Sequence, residues 1–148
     1  MNQKVLPPVY FFGALILMAG LHFFLPVKQI IFMPYGLAGL IPLALGIWLN
    51  LWTDSLFKQK NTTVKPFEKP SCIICQGPFK VSRNPMYLGM VFIVLGIAVL
   101  CGTATCFAVP LIYGIMIDRF FITREEEILS RAFGMQYVEY KTQVRRWI

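Results

Sequence analysis

The sequence is poor in charged residues. Only 14% of its 148 residues are Asp, Glu, Lys or Arg, whereas 57% are apolar and the mean hydropathy is +0.62. Soluble domains average about 25% charged residues. One compact soluble domain of this length cannot bury so much apolar surface. The composition therefore predicts an integral membrane protein that forms a single membrane-embedded domain, residues 1–148.

Metal-ligand pairs are also scarce. His22 is the sole histidine, Cys72 and Cys75 form a lone C-x-x-C pair, and Cys101 and Cys106 lie in an apolar region. Structural zinc requires a second close pair of Cys or His, so no metal is expected. The four cysteines are interpreted as small apolar fillers, with a redox role for the Cys72–Cys75 pair left open, and His22 as an interfacial or helix-packing residue.

Acidic residues are few as well, seven against fourteen Lys and Arg, which gives a net charge of +7. A basic chain can bind nucleic acid. Here, however, the cations lie in short segments beside apolar runs, a pattern typical of membrane topology. The expected partner is therefore membrane lipid, and no nucleic acid is expected.

Four apolar runs predict an all-α protein with about four transmembrane helices, at residues 9–25, 33–52, 86–101 and 103–122. The last two come from one run of 37 residues. About 20 residues cross a bilayer, so this run is predicted to form a helical hairpin that turns near 101–105. The first run lacks the cleavage site of a signal peptide and is kept as a span.

Two polar segments remain. Residues 53–84 are predicted to form a structured loop because they contain several Pro and Gly residues. Residues 123–148 are predicted to form an amphipathic helix, since apolar residues recur at helical spacing: Leu129, Phe133, Tyr137, Tyr140 and Val144.

The distribution of cations predicts the orientation in the membrane. With four spans, both termini lie on one side, and thirteen of the fourteen Lys and Arg residues fall on that side; Lys28 is the exception. By the positive-inside rule, the loop 53–84, the C-terminal helix and both termini are expected to face the cytoplasm.

The third span begins in a sequence suited to binding anions. Asn84 is a good N-cap and Pro85 suits the first helical position, which leaves the backbone amides of Met86 and Tyr87 free. Arg83 adds a guanidinium beside them. The alternative is that Arg83 and Tyr87 are ordinary interfacial anchors.

An acidic cluster follows the fourth span. Three consecutive glutamates, 125–127, stand where an anionic cytoplasmic leaflet would repel them. Glu125 and Glu126 lie near membrane level, within reach of the third span, although complementarity to the helix dipole also accounts for them. Together with the anion site, an acidic pair suits a zwitterionic ligand.

These motifs resemble the membrane methyltransferases that include isoprenylcysteine carboxyl methyltransferase and phospholipid N-methyltransferases. That signature is R-[HN]-P-x-Y, a hydrophobic stretch, E-E, and then L-x-x-x-F-G-x-x-Y-x-x-Y. The chain carries RNPMY at 83–87, the glutamate pair at 125–126, and the remaining positions from Leu129 to Tyr140. The resemblance covers about residues 35–148, including a segment NTTVKP at 61–66.

The resemblance implies S-adenosylmethionine as cofactor and a lipophilic acceptor, which could be a carboxylate, a thiol or an amine. It places cofactor contacts at Ser71, Cys72, Ile73, Ile74, Phe79, Asn84, Pro85, Met86, Tyr87, Glu125 and Glu126. Arg83 is assigned to catalysis, and Arg119 and Arg124 to substrate binding.

Two positions depart from the resemblance. Many relatives have His where this chain has Asn84, so no imidazole role is assumed. Enzymes that esterify a prenylcysteine carry Arg four residues before the glutamate pair, where this chain has Phe121, and this weakens the assignment of that acceptor. Two alternatives stay open, a nicotinamide-dependent membrane reductase of related architecture and a non-catalytic membrane scaffold; the oligomeric state is not predicted.

Overall fold

The computed structural model describes residues 6–61 and 72–148. The regular secondary structure of the described residues is helical, apart from one isolated β-bridge between Gln29 and Thr103, and loops and turns connect the helices. The helices are α1 (Pro7–Phe24), α2 (Leu40–Gln59), α3 (Pro85–Cys101), α4 (Ala104–Ile117), α5 (Thr123–Phe133) and α6 (Met135–Gln143). Short 3-10 turns lie at Tyr35–Gly39 and Gly77–Lys80, and a π-helical turn, Asp118–Ile122, joins α4 to α5. The predicted all-α class is confirmed.

Three helical segments in the described chain are long and apolar enough to cross a membrane: Pro7–Phe24, Tyr35–Gln59 and Ala104–Phe133. The apolar helix α3 is shorter, at 17 residues. Large apolar side chains remain exposed on the outside of these helices, for example Ile16 at 74% and Leu111 at 69%. Such surfaces suit lipid rather than water, as expected of a multi-pass membrane protein.

Some predicted boundaries were wrong. The second helix continues to Gln59 instead of ending at Trp52, so the first residues of the predicted loop 53–84 are helical. The predicted C-terminal helix 123–148 is two helices. Gly134 separates them in a backbone conformation with φ of +53°, which favours glycine, and α6 ends at Gln143. The hairpin turn lies where predicted, because Gly102 adopts the left-handed conformation that closes α3.

Glycines allow α2 and α3 to pack closely as antiparallel neighbours. A Cβ atom on Gly96 would lie 2.7 Å from the carbonyl oxygen of Gly39, and one on Gly46 would lie 2.5 Å from that of Gly89. Since rising numbers on α2 meet falling numbers on α3, the two helices run in opposite directions. This contact matches the preference of membrane helices for small residues at close crossings.

The connections gather at two ends of the helix bundle. At the turn end, the segment 25–34 meets the α3–α4 turn, where Ile30 N donates to Gly102 O at 2.8 Å and Ala104 N donates to Lys28 O at 2.8 Å. The opposite end, called here the cavity end, contains the start of α1, the end of α2, the start of α3 and helices α5 and α6. The four apolar helices therefore alternate in direction.

Residues 144–147 form a C-terminal strap that returns to the start of α3. Arg83 N donates to Arg145 O at 3.0 Å, and Ser82 Oγ donates to Arg146 O at 3.3 Å. Beneath the strap, the apolar residues predicted to share one helical face do pack together, with Tyr137, Tyr140 and Val144 buried against Leu129, Phe133 and Ile73. The strap thus fixes the C-terminal helices against the segment before α3.

Candidate active site

A cavity of about 320 Å³ lies at the cavity end. Its walls come from α1, α2, α3, α5, α6 and the segment that precedes α3. It brings together most residues predicted from the sequence, although they come from distant parts of the chain: Cys72, Ile73, Ile74, Phe79, Arg83, Asn84, Pro85, Met86, Tyr87 and Glu125. The RNPMY segment and the first glutamate of the acidic pair therefore share one cavity.

The other predicted site residues lie elsewhere. Glu126 is buried, with 6% of its surface exposed, but it does not line the cavity. Arg119 and Arg124 are exposed residues outside the cavity lining, and their role in substrate binding stays a prediction. Ser71 lies outside the described residues, as does most of the NTTVKP segment.

Arg83 is a buried cation with spare hydrogen-bond donors. Its side chain is 9% exposed, and Nη2 forms an ion pair with Glu126 Oε1 at 3.1 Å. Its Nε and Nη1 atoms are also buried, and neither has a hydrogen-bond partner in the described part of the chain. A buried donor without a hydrogen-bond partner costs free energy, and an anion in the cavity could supply the missing acceptor.

Glu125 and Tyr87 form the second polar group of the cavity. The Tyr87 hydroxyl donates to Glu125 Oε1 at 2.6 Å, which links the first turn of α3 to the first turn of α5. Both residues line the cavity. A carboxylate held in this way can accept further hydrogen bonds from hydroxyl or ammonium groups of a ligand.

Asn84 has a different structural role from the predicted one. It precedes α3 as the N-cap residue, but its side chain makes no capping hydrogen bond. Its Nδ2 atom instead donates to the carbonyl oxygen of Arg146 at 3.0 Å. Asn84 therefore helps to attach the C-terminal strap, while its neighbours Pro85 and Met86 line the cavity.

Glu126 belongs to a network of two acids and two arginines. Besides Arg83, it binds Arg146 through two contacts, Nη2 to Oε2 at 2.6 Å and Nε to Oε1 at 3.2 Å. Arg146 also donates to both oxygens of Asp118, at 3.2 and 3.3 Å, and Trp147 Nε1 donates to Asp118 at 3.0 Å.

This network balances its charges internally. Hydrogen bonds from Arg146 to Glu126 are the main cause that raises the pKa of the Arg146 guanidinium above its usual range. The two arginines and the two carboxylates of the network sum to zero net charge, so the charge of Glu126 is balanced without a ligand. It lies behind Arg83 and orients it, whereas Glu125 lies at the cavity wall.

Two tyrosines of α6 complete the wall. Tyr140 donates to the carbonyl oxygen of Phe79 at 2.7 Å, and this contact holds α6 to the 3-10 turn before α3. Burial, followed by the nearby charge of Glu126, raises the pKa of Tyr137 to about 12. Both phenols therefore stay neutral near pH 7, as suits aromatic faces that contact a cationic ligand.

Several lining residues were missed by the sequence analysis: Leu6, Pro7, Pro8, Phe57, Met90, Leu129, Tyr137 and Tyr140. Leu129, Tyr137 and Tyr140 belong to the quoted motif but had been interpreted as a packing face. The residues at the start of α1 are apolar and belong to no motif, so the sequence could not place them at the cavity. Only the packing of the helices brings them there.

The fold is that of a multi-pass α-helical membrane protein with a cavity at one end of its bundle. Residues 35–136 match the phospholipid methyltransferase family, which is more than half of the chain. The chain belongs to this family of membrane methyltransferases, as the resemblance of its motifs predicted. An uncharacterised protein of Haemophilus influenzae is 36% identical over 63 residues, or 43% of this chain and 100% of that protein. No solved structure matches the chain.

Proposed function

We propose that the chain is an S-adenosylmethionine-dependent methyltransferase that modifies a lipophilic acceptor, and that residues 1–148 act as one membrane-embedded domain. Membership of the phospholipid methyltransferase family supports methyl transfer to a lipid. The observation that carries the proposal is the combination of a buried guanidinium with spare donors and a carboxylate in one cavity.

The residues of the cavity fit the cofactor. Its carboxylate would accept a hydrogen bond from Arg83 Nε or Nη1, the two buried atoms that have no partner in residues 6–61 and 72–148. An arginine side chain holds its donors in one fixed plane, so Arg83 can bind Glu126 through Nη2 and a ligand oxygen through another nitrogen. Arg83 would therefore hold the amino-acid end of the cofactor, and Glu126 would hold Arg83.

Glu125 would hold a second part of the cofactor, either the ribose hydroxyls or the ammonium group. Its hydrogen bond from Tyr87 fixes the carboxylate at the cavity wall. Aromatic faces nearby, those of Phe79 and Tyr137, would stabilise the positive sulfonium. When bound, S-adenosylmethionine supplies an activated methyl group for direct displacement, so the chain needs to position the reactants rather than provide a nucleophile.

The apolar part of the lining supports a lipophilic acceptor. Leu6, Pro7 and Met90 line the cavity along with the polar groups. Phe121, which stands where prenylcysteine-esterifying relatives have Arg, is 1% exposed and packs against Tyr10 at 5.3 Å between ring centroids. It offers no charge to a prenylcysteine carboxylate, so a different lipid carboxylate, an amine or a thiol is the better acceptor.

The cavity end is proposed to face the cytoplasm. The RNPMY segment, α5, α6 and the strap lie there, and these segments carry six of the thirteen cations counted by the positive-inside rule, whereas Lys28 lies at the turn end. A soluble cofactor would reach the cavity from that side, and the acceptor from the bilayer.

Binding measurements test the cofactor. Isothermal titration of the purified protein in detergent should show binding of S-adenosylmethionine and not of NADPH. Arg83→Lys keeps the charge but removes the planar set of donors that can contact Glu126 and a ligand at the same time, so affinity should fall by about tenfold or more. Arg131→Lys, the same change at an exposed residue of α5, should leave the affinity unchanged.

Methyl transfer then tests the reaction. Radiolabelled S-adenosylmethionine with total membrane lipid or small lipophilic thiols should give a labelled organic product. Binding of NADPH without binding of S-adenosylmethionine would overturn the proposal in favour of a reductase. Cofactor binding without a labelled product from any acceptor would favour a scaffold.

A further inference from the structure

The turn end carries a cluster of metal-binding side chains that the methyltransferase site does not use. One imidazole nitrogen of His22, Cys101 Sγ and Cys106 Sγ all lie within 4.8 Å of one another. They come from three helices, because His22 is in the last turn of α1, Cys101 ends α3 and Cys106 is in the first turn of α4. The sequence did not predict a metal here, since spacings of 79 and 5 residues match no metal-binding motif.

A second, independent observation concerns the hydrogen bonding of His22. Its Nδ1 atom is buried, and it has no hydrogen-bond partner among the described residues. An ionisable side chain within a membrane helix is costly unless it is paired or has a function. An imidazole that lies within 4.8 Å of two thiols satisfies that condition by binding a cation together with them.

We propose that His22, Cys101 and Cys106 form a zinc site at the turn end of the helix bundle. One imidazole nitrogen and two thiolates are ligands that zinc prefers, and a zinc site with three protein ligands holds water in the fourth position. Zinc–sulfur bonds of about 2.3 Å place two sulfurs roughly 3.8 Å apart. Since no two of the three ligand atoms are more than 4.8 Å apart, the two sulfurs need to approach by at most about 1 Å, which small rotamer changes supply.

Charge balance favours zinc over copper. Two thiolates and Zn²⁺ give a neutral site, whereas the same ligands with Cu⁺ leave one negative charge in a medium of low polarity. Cys106 is completely buried, so such a charge would have little solvation. Binding releases the two thiol protons to solvent as the two zinc–sulfur bonds form.

The surroundings of the cluster are already ordered. Cys106 Sγ accepts a hydrogen bond from Thr103 Oγ1 at 3.0 Å and donates to Met18 O at 3.8 Å. Backbone hydrogen bonds from Ile30 and Ala104 fix the adjoining turn. Zinc would therefore join α1 to the α3–α4 hairpin, the two parts that the loop 25–34 brings together, and this role is independent of the methyltransferase proposal.

Metal analysis of the full-length protein tests the site without any methyl donor. After purification in detergent with reductant and without chelator, mass spectrometry should find about one zinc per chain. His22→Ala and Cys106→Ser should each lose it. Cys75→Ser is the matched control, because it makes the same change at an exposed cysteine outside the cluster, and it should keep the zinc.

Cobalt substitution of the wild-type protein tests for the metal site even if the variants fail to fold. Co²⁺ added to the metal-free protein should produce a near-ultraviolet band from thiolate coordination, and Zn²⁺ should abolish it. Wild-type protein without zinc and without the cobalt band would overturn the proposal. So would copper in place of zinc, or the loss of two titratable thiols with no bound metal, which indicates a Cys101–Cys106 disulfide.

Discussion

Tyr87 and Glu125 are 38 residues apart in sequence and share a hydrogen bond of 2.6 Å. This contact joins the RNPMY segment to the acidic pair, the two motifs on which the resemblance to membrane methyltransferases rests. The two adjacent glutamates therefore have different roles. Glu125 lies at the cavity wall with Tyr87, whereas Glu126 lies behind it and holds Arg83 and Arg146.

Removing the Tyr87 hydroxyl should weaken cofactor binding. In Tyr87→Phe the aromatic ring remains, but the half-buried Glu125 carboxylate loses its donor and its fixed orientation. A lost hydrogen bond to a charged group corresponds to a decrease in affinity for S-adenosylmethionine of about tenfold. Calorimetry measures it, with Tyr35→Phe as control, since Tyr35 is 77% exposed at the other end of the bundle. Equal affinity in both variants would contradict a role for Tyr87.

Neutral replacements of the two glutamates should have different effects. Glu125→Gln should lower cofactor affinity and leave the melting temperature nearly unchanged. Glu126→Gln should mainly lower stability, by roughly 3 kcal/mol, because it leaves a buried ion-pair network without one carboxylate. Thermal unfolding and calorimetry on both variants separate these effects. If both variants lost affinity equally without loss of stability, Glu126 would contact the cofactor directly, as the resemblance implied.

The C-terminal strap should be needed for stability through Arg146. This residue donates four hydrogen bonds to Glu126 and Asp118, and its side chain is 34% exposed. Arg146→Ala should therefore lower the free energy of unfolding by roughly 2 kcal/mol. The matched control is Arg145→Ala, since the side chain of Arg145 is exposed. A similar loss of stability in both variants would show that the charge of the strap matters, and not the network.

Much of the fold could be predicted because membrane helices leave a simple signal. Long apolar runs predicted the helices, and a single glycine marked the hairpin turn at Gly102. The break at Gly134 was missed, since the apolar periodicity continues across it and Gly134 was considered only as part of a motif. The end of α2 was also missed, because polar residues after Trp52 can continue a helix beyond the membrane.

The candidate site could be predicted in part. The motifs indicated ten of the residues that line the cavity, including Arg83 and Glu125. Local sequence could not show that Glu126 turns away from the cavity, because its partner Arg146 lies in a strap with no recognisable pattern. For the same reason, the sequence could not show that His22 meets Cys101 and Cys106, which depends on how three helix ends come together.

The close crossing of α2 and α3 should tolerate no added methyl group. A Cβ at Gly96 would lie 2.7 Å from both Gly39 O and Leu43 N, which are backbone atoms that cannot rotate away. We expect Gly96→Ala to destabilise the protein by roughly 1–3 kcal/mol, the usual cost of overpacking. Gly13→Ala is the control, since a Cβ there meets nothing within 4 Å and alanine favours a helix more than glycine does.

Gly96→Ala should also change the shape of the cavity, because it moves α2 and α3 apart. Phe57, near the end of α2, and Tyr87, at the start of α3, both line the cavity. Forcing the two helices apart at Gly96 therefore changes the distance between two cavity walls. Gly96→Ala should lower both the melting temperature and the affinity for S-adenosylmethionine, whereas Gly13→Ala should lower neither. A Gly96→Ala protein as stable as the wild type would show that the α2–α3 crossing is looser than its geometry indicates.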